Sequence, residues 1–303
     1  MRIGVDLGGT KIQTVALDKN GVVRAGLRKA SPREDYQATL GAIAAMVAET
    51  ERRAEVGPSV VGIGMPGAIS PATGLVKNAN STWLIGRPFH QDVSKVLGRP
   101  VRLANDADCF AISEASDGSG AGASIVFGVI LGTGVGGGIV VDGRLLNGAN
   151  AIAGEWGHNP LPRPGLDESP GPACYCGRYG CIETWLSGPG LSADHEARTG
   201  ETLDGAAIVT AAQAGKPTAE ATLARYEDRL ARALAHVVNI VDPHVIVLGG
   251  GISKVARLYA SLPRMVATHV FSDRVSTRIL PPRHGDASGV RGAAWLWRPE
   301  EGE

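Results

Sequence analysis

Two segments of the chain share one plan, and this repeat is the feature that most constrains the fold. Each segment begins with an apolar run typical of a buried strand, passes through a glycine–threonine turn into a second strand, and ends at an Asp/Gly turn. They read VDLGGTKIQTVALDKNG at 5–21 and VILGTGVGGGIVVDG at 129–143. Turns of this composition favour hairpin connections. Because one such hairpin opens each half of the chain, we predict two related α/β domains with a ligand-binding cleft between them.

The length of the chain also favours two domains. It has 303 residues, and single hydrophobic cores stop growing at about 250–300 residues. The Gly/Ser-rich run DGSGAGAS at 117–124 is typical of a seam between domains. We predict a small α/β domain formed by 1–117 together with a C-terminal helix at 288–303, and a large α/β domain at 118–287 that carries a zinc site.

The glycine-rich turns are candidates for phosphate binding. The chain has 42 glycines, about twice the usual share of ~7%, and GTGVGG at 132–137 matches the dinucleotide-binding pattern. That fold needs a helix directly after the pattern, whereas here a strand and an Asp/Gly turn follow. Glycine turns expose backbone N–H groups that bind anions, and Thr10 and Thr133 add hydroxyl groups. Plain tight hairpins are the alternative, but two similar turns favour a bound polyphosphate.

The charge balance argues against a nucleic-acid partner. Lys+Arg and Asp+Glu both number 30, so the formal net charge is zero, whereas nucleic-acid binders usually carry a basic excess.

No apolar run approaches the ~18 residues that a membrane span needs. Asp6 also comes too early for the apolar region of a secretory signal. We expect a cytoplasmic protein with neither a nucleic-acid nor a membrane partner.

Three of the four cysteines lie within eight positions, in CYCGRYGC. Clustered cysteines in a chain without an export signal favour a metal over disulfides. Tetrahedral zinc needs a fourth ligand, and His158 in the upstream EWGH can join Cys174, Cys176 and Cys181. A site with four protein ligands has no open position, so the zinc would be structural. Reduced buried thiols are the alternative. Cys109, on a predicted helix, is expected to belong to the core.

Acidic residues mark two further candidate positions. Asn105 and Asp106 follow a predicted strand at 101–104 and open a helix, and the carboxyl ends of strands are where α/β proteins place their sites. Asp106 is a candidate general base, with helix capping as the alternative. Glu155 and Glu183 lie close in sequence to the predicted zinc ligands, where they are suited to binding sugar hydroxyls. Ordinary surface glutamates are the alternative for these two.

The motifs DLGGTK, PGAISPATG, LANDAD, the glycine turn at 132–138, EWGH, CYCGRYGCIE and VIVLGGG occur in this order. Together they resemble the ROK family of sugar kinases and repressors across essentially the whole chain. The resemblance implies a two-domain actin/hexokinase-like (ribonuclease H-like) α/β fold with an interdomain cleft. It also implies ATP, Mg²⁺ and structural Zn²⁺, and we expect a homodimer.

Two segments, VKNANSTWLIGRPF and HGDASGVRGAAWLW, are most similar to bacterial fructokinases. They imply transfer of the γ-phosphate of ATP to the 6-hydroxyl of fructose, with mannose or glucose as possible further acceptors. An N-acetylglucosamine kinase or a glucokinase of the same family is the alternative. A sugar-sensing repressor would carry a winged-helix domain, for which we expect no room ahead of Asp6.

The resemblance also assigns roles to residues. Asp106 is the general base, and Asp6 lies near Mg²⁺. The zinc ligands are His158, Cys174, Cys176 and Cys181, and the second nitrogen of His158 is expected to meet the sugar. Sugar contacts are implied for Gly67, Asn105, Asp106, Glu155, His158 and Glu183, with Asn80 as a further candidate. ATP contacts are implied for Gly4, Asp6, Gly8, Gly9, Thr10, Lys11, Gly132, Thr133, Gly134, Gly136, Gly137, Gly249, Gly250 and Gly251.

Overall fold

The computed structural model describes residues 1–79 and 81–301. Its strands are β1 (Arg2–Leu7), β2 (Lys11–Leu17), β3 (Val23–Ala30), β4 (Val60–Met65), β5 (Ala68–Ile69), β6 (Val76–Lys77), β7 (Val101–Asn105), β8 (Ile125–Leu131), β9 (Val135–Val141), β10 (Arg144–Leu145), β11 (Val245–Gly249) and β12 (Arg278–Leu280). Its helices are α1 (Tyr36–Arg53), α2 (Phe89–Leu97), α3 (Asp106–Ser116), α4 (Ile182–Leu186), α5 (Gly188–Thr199), α6 (Gly205–Gln213), α7 (Pro217–Val241), α8 (Arg257–Ala267) and α9 (Ser288–Trp295). The α/β class predicted from the sequence is confirmed. Within the described residues, no helix combines the length and the apolar character that crossing a membrane requires.

The chain divides into two compact units. The first comprises Met1–Gly122, Gly143–Ala153 and Arg283–Glu303, and the second comprises Ala123–Asp142 and Gly154–Pro282. The division predicted from the sequence differs in three short stretches, because it assigned 118–122, 143–153 and 283–287 to the second domain. The structure groups these stretches with the first unit.

The first unit is built on a five-stranded sheet in the order β3-β2-β1-β4-β7. The opening strands form the predicted antiparallel meander, whereas β4 and β7 run parallel to β1. Helix α1 begins after Asp35, whose carboxylate accepts the Ala38 N–H at 2.9 Å and so satisfies one of the donors that a helix start leaves free. Its apolar face buries Leu40, Ile43 and Val47 against the sheet core, as the 3.6-residue spacing predicts.

Helix α9 returns from the far end of the chain to pack on β1, β4 and α3. The approach is so close that a Cβ at Gly4 would overlap the Val290 carbonyl oxygen, and one at Gly62 would overlap that of Ala293. The buried carboxylate of Glu114 on α3 fixes the start of this segment. It accepts the Arg283 N–H at 3.0 Å and the Ser288 hydroxyl at 2.8 Å.

The second unit contributes the strands β9-β8-β11-β12, of which β8, β11 and β12 are parallel. The long region 187–240, predicted to be mainly helical, forms α5, α6 and α7. Helix α7 buries Leu230, Leu234, Val237 and Val238, which are residues of its predicted apolar face.

Candidate functional site

The carboxyl ends of three parallel strands bring the polar residues of the first unit to one edge of its sheet. Asp6 near the end of β1 pairs in register with Gly64 of β4, and Met65 at the end of β4 pairs with Asn105 at the end of β7. Asp106 follows directly as the first residue of α3. The carboxyl edge of a parallel sheet is the usual place for a ligand site in α/β folds.

The N-cap of helix α3 bears on the capping alternative for Asp106. The Asn105 side chain accepts the Asp108 N–H at 2.6 Å, so Asn105 is the N-cap. Asp106 is therefore not needed for that role, and its side chain is exposed to solvent. Its Oδ1 accepts the neighbouring Ala107 N–H at 2.9 Å, which orients the carboxylate. An exposed, oriented carboxylate can accept a proton from a bound hydroxyl group.

The carboxyl groups of Asp6 and Asp106 both have raised pKa values. Burial raises the pKa of Asp6 to about 6, the negative charge of Asp106 raises it further, and the charge of Lys11 opposes the shift. Desolvation by the surrounding protein raises the pKa of Asp106, against hydrogen bonds from the backbone N–H groups of Ala107 and Asp106 itself. A raised pKa makes a carboxylate a stronger base, and a cation beside the pair would offset its repulsion.

The turn between β1 and β2 carries residues that the sequence predicts to bind phosphate. The Gly8 N–H donates to the Lys11 carbonyl oxygen at 2.9 Å, so it closes the turn. In the described part of the chain, the N–H groups of Gly9 and Thr10 meet no protein acceptor. Free backbone N–H groups at a glycine turn can bind an anion.

The turn between β8 and β9 in the second unit is braced by Glu183. Oε2 of Glu183 accepts the Val135 N–H at 2.9 Å, and a Cβ at Gly134 would approach the same oxygen to 2.6 Å. Gly132 N–H closes the turn on the Gly134 carbonyl oxygen at 3.0 Å. The sequence predicts Glu183 as a sugar contact, and the structure gives one of its oxygens to the backbone of this turn.

Four glycines predicted to contact ATP lie inside strands, and one of them, Gly249, is the last residue of β11. Gly4 in β1 faces α9, as described above. Gly136 in β9 offers its carbonyl oxygen to Trp156 Nε1 at 3.0 Å, and a Cβ at Gly137 would come within 2.9 Å of the Trp156 ring. Close packing therefore explains the missing side chain at Gly4 and Gly137.

The remaining predicted glycines lie at turns. Gly67, after β4, has a positive φ of 76°, and a Cβ there would overlap the Lys77 carbonyl oxygen. Gly250, after β11, has a φ of 83° and lies against the Leu131 backbone. Open space surrounds the Cβ position of Gly251 within the described residues, so a ligand could approach its backbone. Asn80, the further sugar candidate, lies outside the described residues.

The predicted zinc ligands converge in the second unit. The ligand atoms of His158, Cys174, Cys176 and Cys181 all lie within 4.8 Å of one another. Cys176 Sγ is 3.6 Å from Cys181 Sγ, and Cys174 Sγ is 3.6 Å from His158 Nδ1. Tetrahedral zinc with ordinary bond lengths sets sulfur atoms about 3.8 Å apart and sulfur and nitrogen about 3.6 Å apart. These four residues therefore fit the metal.

Local backbone geometry explains why the cysteines can meet. Gly177 and Gly180 have positive φ values of 85° and 66°, which suit glycine, and the Cys174 N–H donates to the Arg178 carbonyl oxygen at 2.8 Å. Burial, followed by the neighbouring thiols, raises the pKa of Cys181 to about 12. A cation bound beside this sulfur would favour its thiolate form.

The second nitrogen of His158 has a partner that the sequence did not identify. His158 Nε2 lies 2.9 Å from the hydroxyl oxygen of Tyr175, and the two rings meet edge to face with centroids 5.1 Å apart. Burial of this hydroxyl, and then the negative charge of Glu183, raises the pKa of Tyr175 to about 12. The only signal in the sequence for this contact is the position of Tyr175 between Cys174 and Cys176, two of the predicted metal ligands.

Comparison with known proteins identifies the family. The profile of the ROK family matches residues 2–300. The N-acetyl-D-glucosamine kinase of Yersinia pseudotuberculosis serotype O:1b is 39% identical over 305 residues, which cover 99% of this chain and 100% of the relative. The ROK hexokinase of Thermus thermophilus superposes with a TM-score of 0.88 at 30% identity, with 99% of this chain and 98% of that chain covered.

A ROK family glucokinase from Streptomyces griseus, solved in complex with glucose and AMPPNP, gives a TM-score of 0.76 at 28% identity, with 98% of this chain and 99% of that chain covered. The fold predicted from the resemblance is thereby confirmed as that of the ROK hexokinases. This chain belongs to the ROK family, and these relatives are sugar kinases.

Proposed function

We propose that the protein is an ATP-dependent kinase that transfers the γ-phosphate of ATP to the 6-hydroxyl of a hexose. The observation that carries the proposal is the exposed Asp106 carboxylate beside Asp6, with both pKa values raised. Support for the nucleotide comes from the glucokinase relative that was solved with AMPPNP.

In this mechanism Asp106 accepts the proton of the attacking hydroxyl group as the new oxygen–phosphorus bond forms, while the bond from the γ-phosphorus to the β,γ-bridging oxygen breaks and ADP leaves with that oxygen. The free N–H groups of Gly9 and Thr10 donate to phosphate oxygens and stabilise their developing charge. A Mg²⁺ ion, when bound, would offset phosphate charge, and Asp6 supplies the carboxylate oxygen that such an ion prefers. Lys11 adds a positive charge at the same turn.

The names of the relatives change which acceptor sugar we expect. The sequence segments favoured fructose, whereas the curated relatives of 39–40% identity act as N-acetyl-D-glucosamine kinases according to their names. We therefore propose N-acetyl-D-glucosamine as the first acceptor. Fructose is the second candidate because the segments at 76–89 and 284–297 resemble fructokinases.

A coupled assay of ADP release over a sugar panel tests the proposal. The panel contains N-acetyl-D-glucosamine, fructose, mannose and glucose, and kcat/KM is compared across it, with Asp106→Asn as the inactive control. The highest kcat/KM with N-acetyl-D-glucosamine supports the first acceptor, and the highest value with fructose supports the second. ADP release that is equal with and without every sugar would refute the kinase assignment.

We also propose that His158, Cys174, Cys176 and Cys181 hold one structural Zn²⁺ per chain. The distances among their ligand atoms support this. Metal analysis of freshly purified protein should give about one zinc per chain for a site of this type, and a Cys181→Ser variant should give far less. The expected homodimer is checked by analytical ultracentrifugation.

A further inference from the structure

Two buried serine hydroxyl groups without hydrogen-bond partners flank the turn between β1 and β2. The Oγ atoms of Ser31, Ser81 and Ser113 are buried and have no partner within the described residues. Ser81 Oγ lies 3.5 Å from the position that a Cβ on Gly9 would occupy, and the Ser31 N–H donates to the Thr10 carbonyl oxygen at 3.0 Å. A buried polar group without a partner is rare in folded proteins and calls for a bound water, ion or ligand. Two of the three hydroxyl groups therefore place unmet hydrogen-bonding capacity at this turn.

The Ser81 hydroxyl group is not used by the helix that it precedes. Ser81 is the N-cap of a short 3-10 helix at Thr82–Leu84, but its side chain makes no capping hydrogen bond. Only its carbonyl oxygen takes part, and it accepts the Leu84 N–H at 3.0 Å. Serine at this position usually caps the helix through its hydroxyl oxygen. Here the side chain is buried against Gly9 instead, so local structure does not account for the hydroxyl group.

Gly9 contributes no backbone hydrogen bond to the turn that it belongs to. Across residues 1–79 and 81–301, neither its N–H nor its carbonyl oxygen has a backbone partner, and the turn is closed by Gly8 and Lys11. Glycine also lacks a side chain and tolerates a wide range of backbone angles. Gly9 can therefore shift without breaking such a bond, and this shift opens the Ser81 hydroxyl group to a ligand bound at the turn.

The free groups around this turn select an anionic acceptor. The N–H groups of Gly9 and Thr10 can only donate, and the Ser81 hydroxyl group has one hydrogen to donate. Lys11 adds a positive charge. A phosphoryl oxygen carries negative charge and accepts several hydrogen bonds, so it can satisfy these donors together. A water molecule carries no charge to match Lys11 and fits the set less well.

We propose that Ser81 is a further phosphate-binding residue: its hydroxyl group donates to a phosphoryl oxygen of the nucleotide that the N–H groups of Gly9 and Thr10 also bind. The identity of the anion rests on the proposed kinase function, whereas binding of a polyphosphate at the turn does not require phosphoryl transfer. Without nucleotide the same hydroxyl group is a buried donor with no acceptor, so its removal should not reduce stability.

The test compares Ser81→Ala with Ser113→Ala. Ser113 is a matched control because its hydroxyl group is also buried without a partner in the described chain, but it lies on α3. Calorimetry measures the Kd of AMPPNP, and thermal unfolding without nucleotide measures stability. We expect Ser81→Ala to raise this Kd about 10- to 100-fold, as for a lost hydrogen bond to a charged group, with a melting temperature no lower than that of the unmodified protein. Ser113→Ala should leave the Kd unchanged.

Steady-state kinetics separate a phosphate contact from a sugar contact. Ser81→Ala should raise the KM for ATP and leave the KM for the sugar unchanged. If instead only the KM for the sugar rises, Ser81 serves the acceptor and the inference is overturned. A lower melting temperature together with weaker AMPPNP binding also overturns it, because the hydroxyl group then supports the turn itself.

Two further outcomes complete the test. An unchanged Kd in Ser81→Ala, which a buried water beside Ser81 would produce, overturns the inference, as does an unmodified protein that binds no AMPPNP. If Ser81→Ala weakens AMPPNP binding but the unmodified protein phosphorylates no sugar, the kinase proposal fails and the phosphate contact of Ser81 stands.

Discussion

Replacing Asp6 with Asn should stabilise the first unit and impair phosphoryl transfer. The carboxyl group has an ordinary pKa of 3.8, and in the folded protein its pKa is raised to about 6. Between these values the folded state binds more protons than the unfolded state, so the free energy of unfolding falls as the pH rises through this window. The difference of about two pKa units corresponds to a loss of about 3 kcal/mol above pH 6.

Asn has no charge to bury, so the variant escapes this loss. We expect Asp6→Asn to be more stable than the unmodified protein by up to about 3 kcal/mol at pH 7.5, and by only about 1 kcal/mol at pH 4.5, because the carboxyl group is then mostly protonated in the folded state. Activity should fall at the same time, since the proposed Mg²⁺ ligand is lost. Functional sites commonly trade stability for activity in this way.

Urea unfolding at the two pH values measures the effect. The control is Asp273→Asn, an exposed carboxylate in the loop before β12, which should change the free energy of unfolding by less than about 0.5 kcal/mol. The reasoning would be refuted if Asp6→Asn were no more stable than the unmodified protein at pH 7.5, or if its advantage were as large at pH 4.5 as at pH 7.5.

Three further predictions concern the general base, the pH dependence of activity and the contact of Glu114 with the C-terminal segment. Asp106→Asn should lower kcat by about 10²–10⁴-fold and leave sugar affinity by calorimetry nearly unchanged; a kcat near that of the unmodified protein would contradict a general-base role. In the unmodified protein, kcat/KM should fall as the pH drops below about 6, where Asp6 takes up a proton, and a flat profile from pH 5 to 8 would contradict the assignment. Glu114→Ala should reduce the free energy of unfolding by at least about 3 kcal/mol, because the N–H of Arg283 and the hydroxyl of Ser288 lose a buried acceptor. Denaturant unfolding measures this loss, and a loss below about 1 kcal/mol would contradict the role of Glu114.

Local patterns in the sequence were enough to predict the hairpins, the acidic strand end and the metal ligands. Strand alternation and Asp/Gly turns act between neighbouring residues, so β1–β2 and β8–β9 form where the repeat indicates. Cys174, Cys176 and Cys181 are tied together by a short loop with Gly177 and Gly180. Such features need no knowledge of the distant chain.

The roles of individual glycines could not be read in the same way. Glycine is required both where backbone approaches a ligand and where backbone approaches another element, since both need the absence of a Cβ. Gly4 lies against α9, which is almost 290 positions away in sequence, whereas no described atom lies within 4 Å of a Cβ built on Gly251. Only the positions of the packed elements separate the two cases.

The sequence by itself determined the family, the two hairpins and which residues are the candidate metal ligands, because motif spacing and local turn chemistry carry that information. The tertiary structure decided which contacts the candidate site residues make. It made Asn105 the helix cap and left Asp106 exposed, gave an oxygen of Glu183 to the turn after β8, and set Tyr175 on His158 Nε2. These outcomes depend on distances and hydrogen-bond directions between side chains, which folding fixes in space and which residue spacing along the chain does not encode.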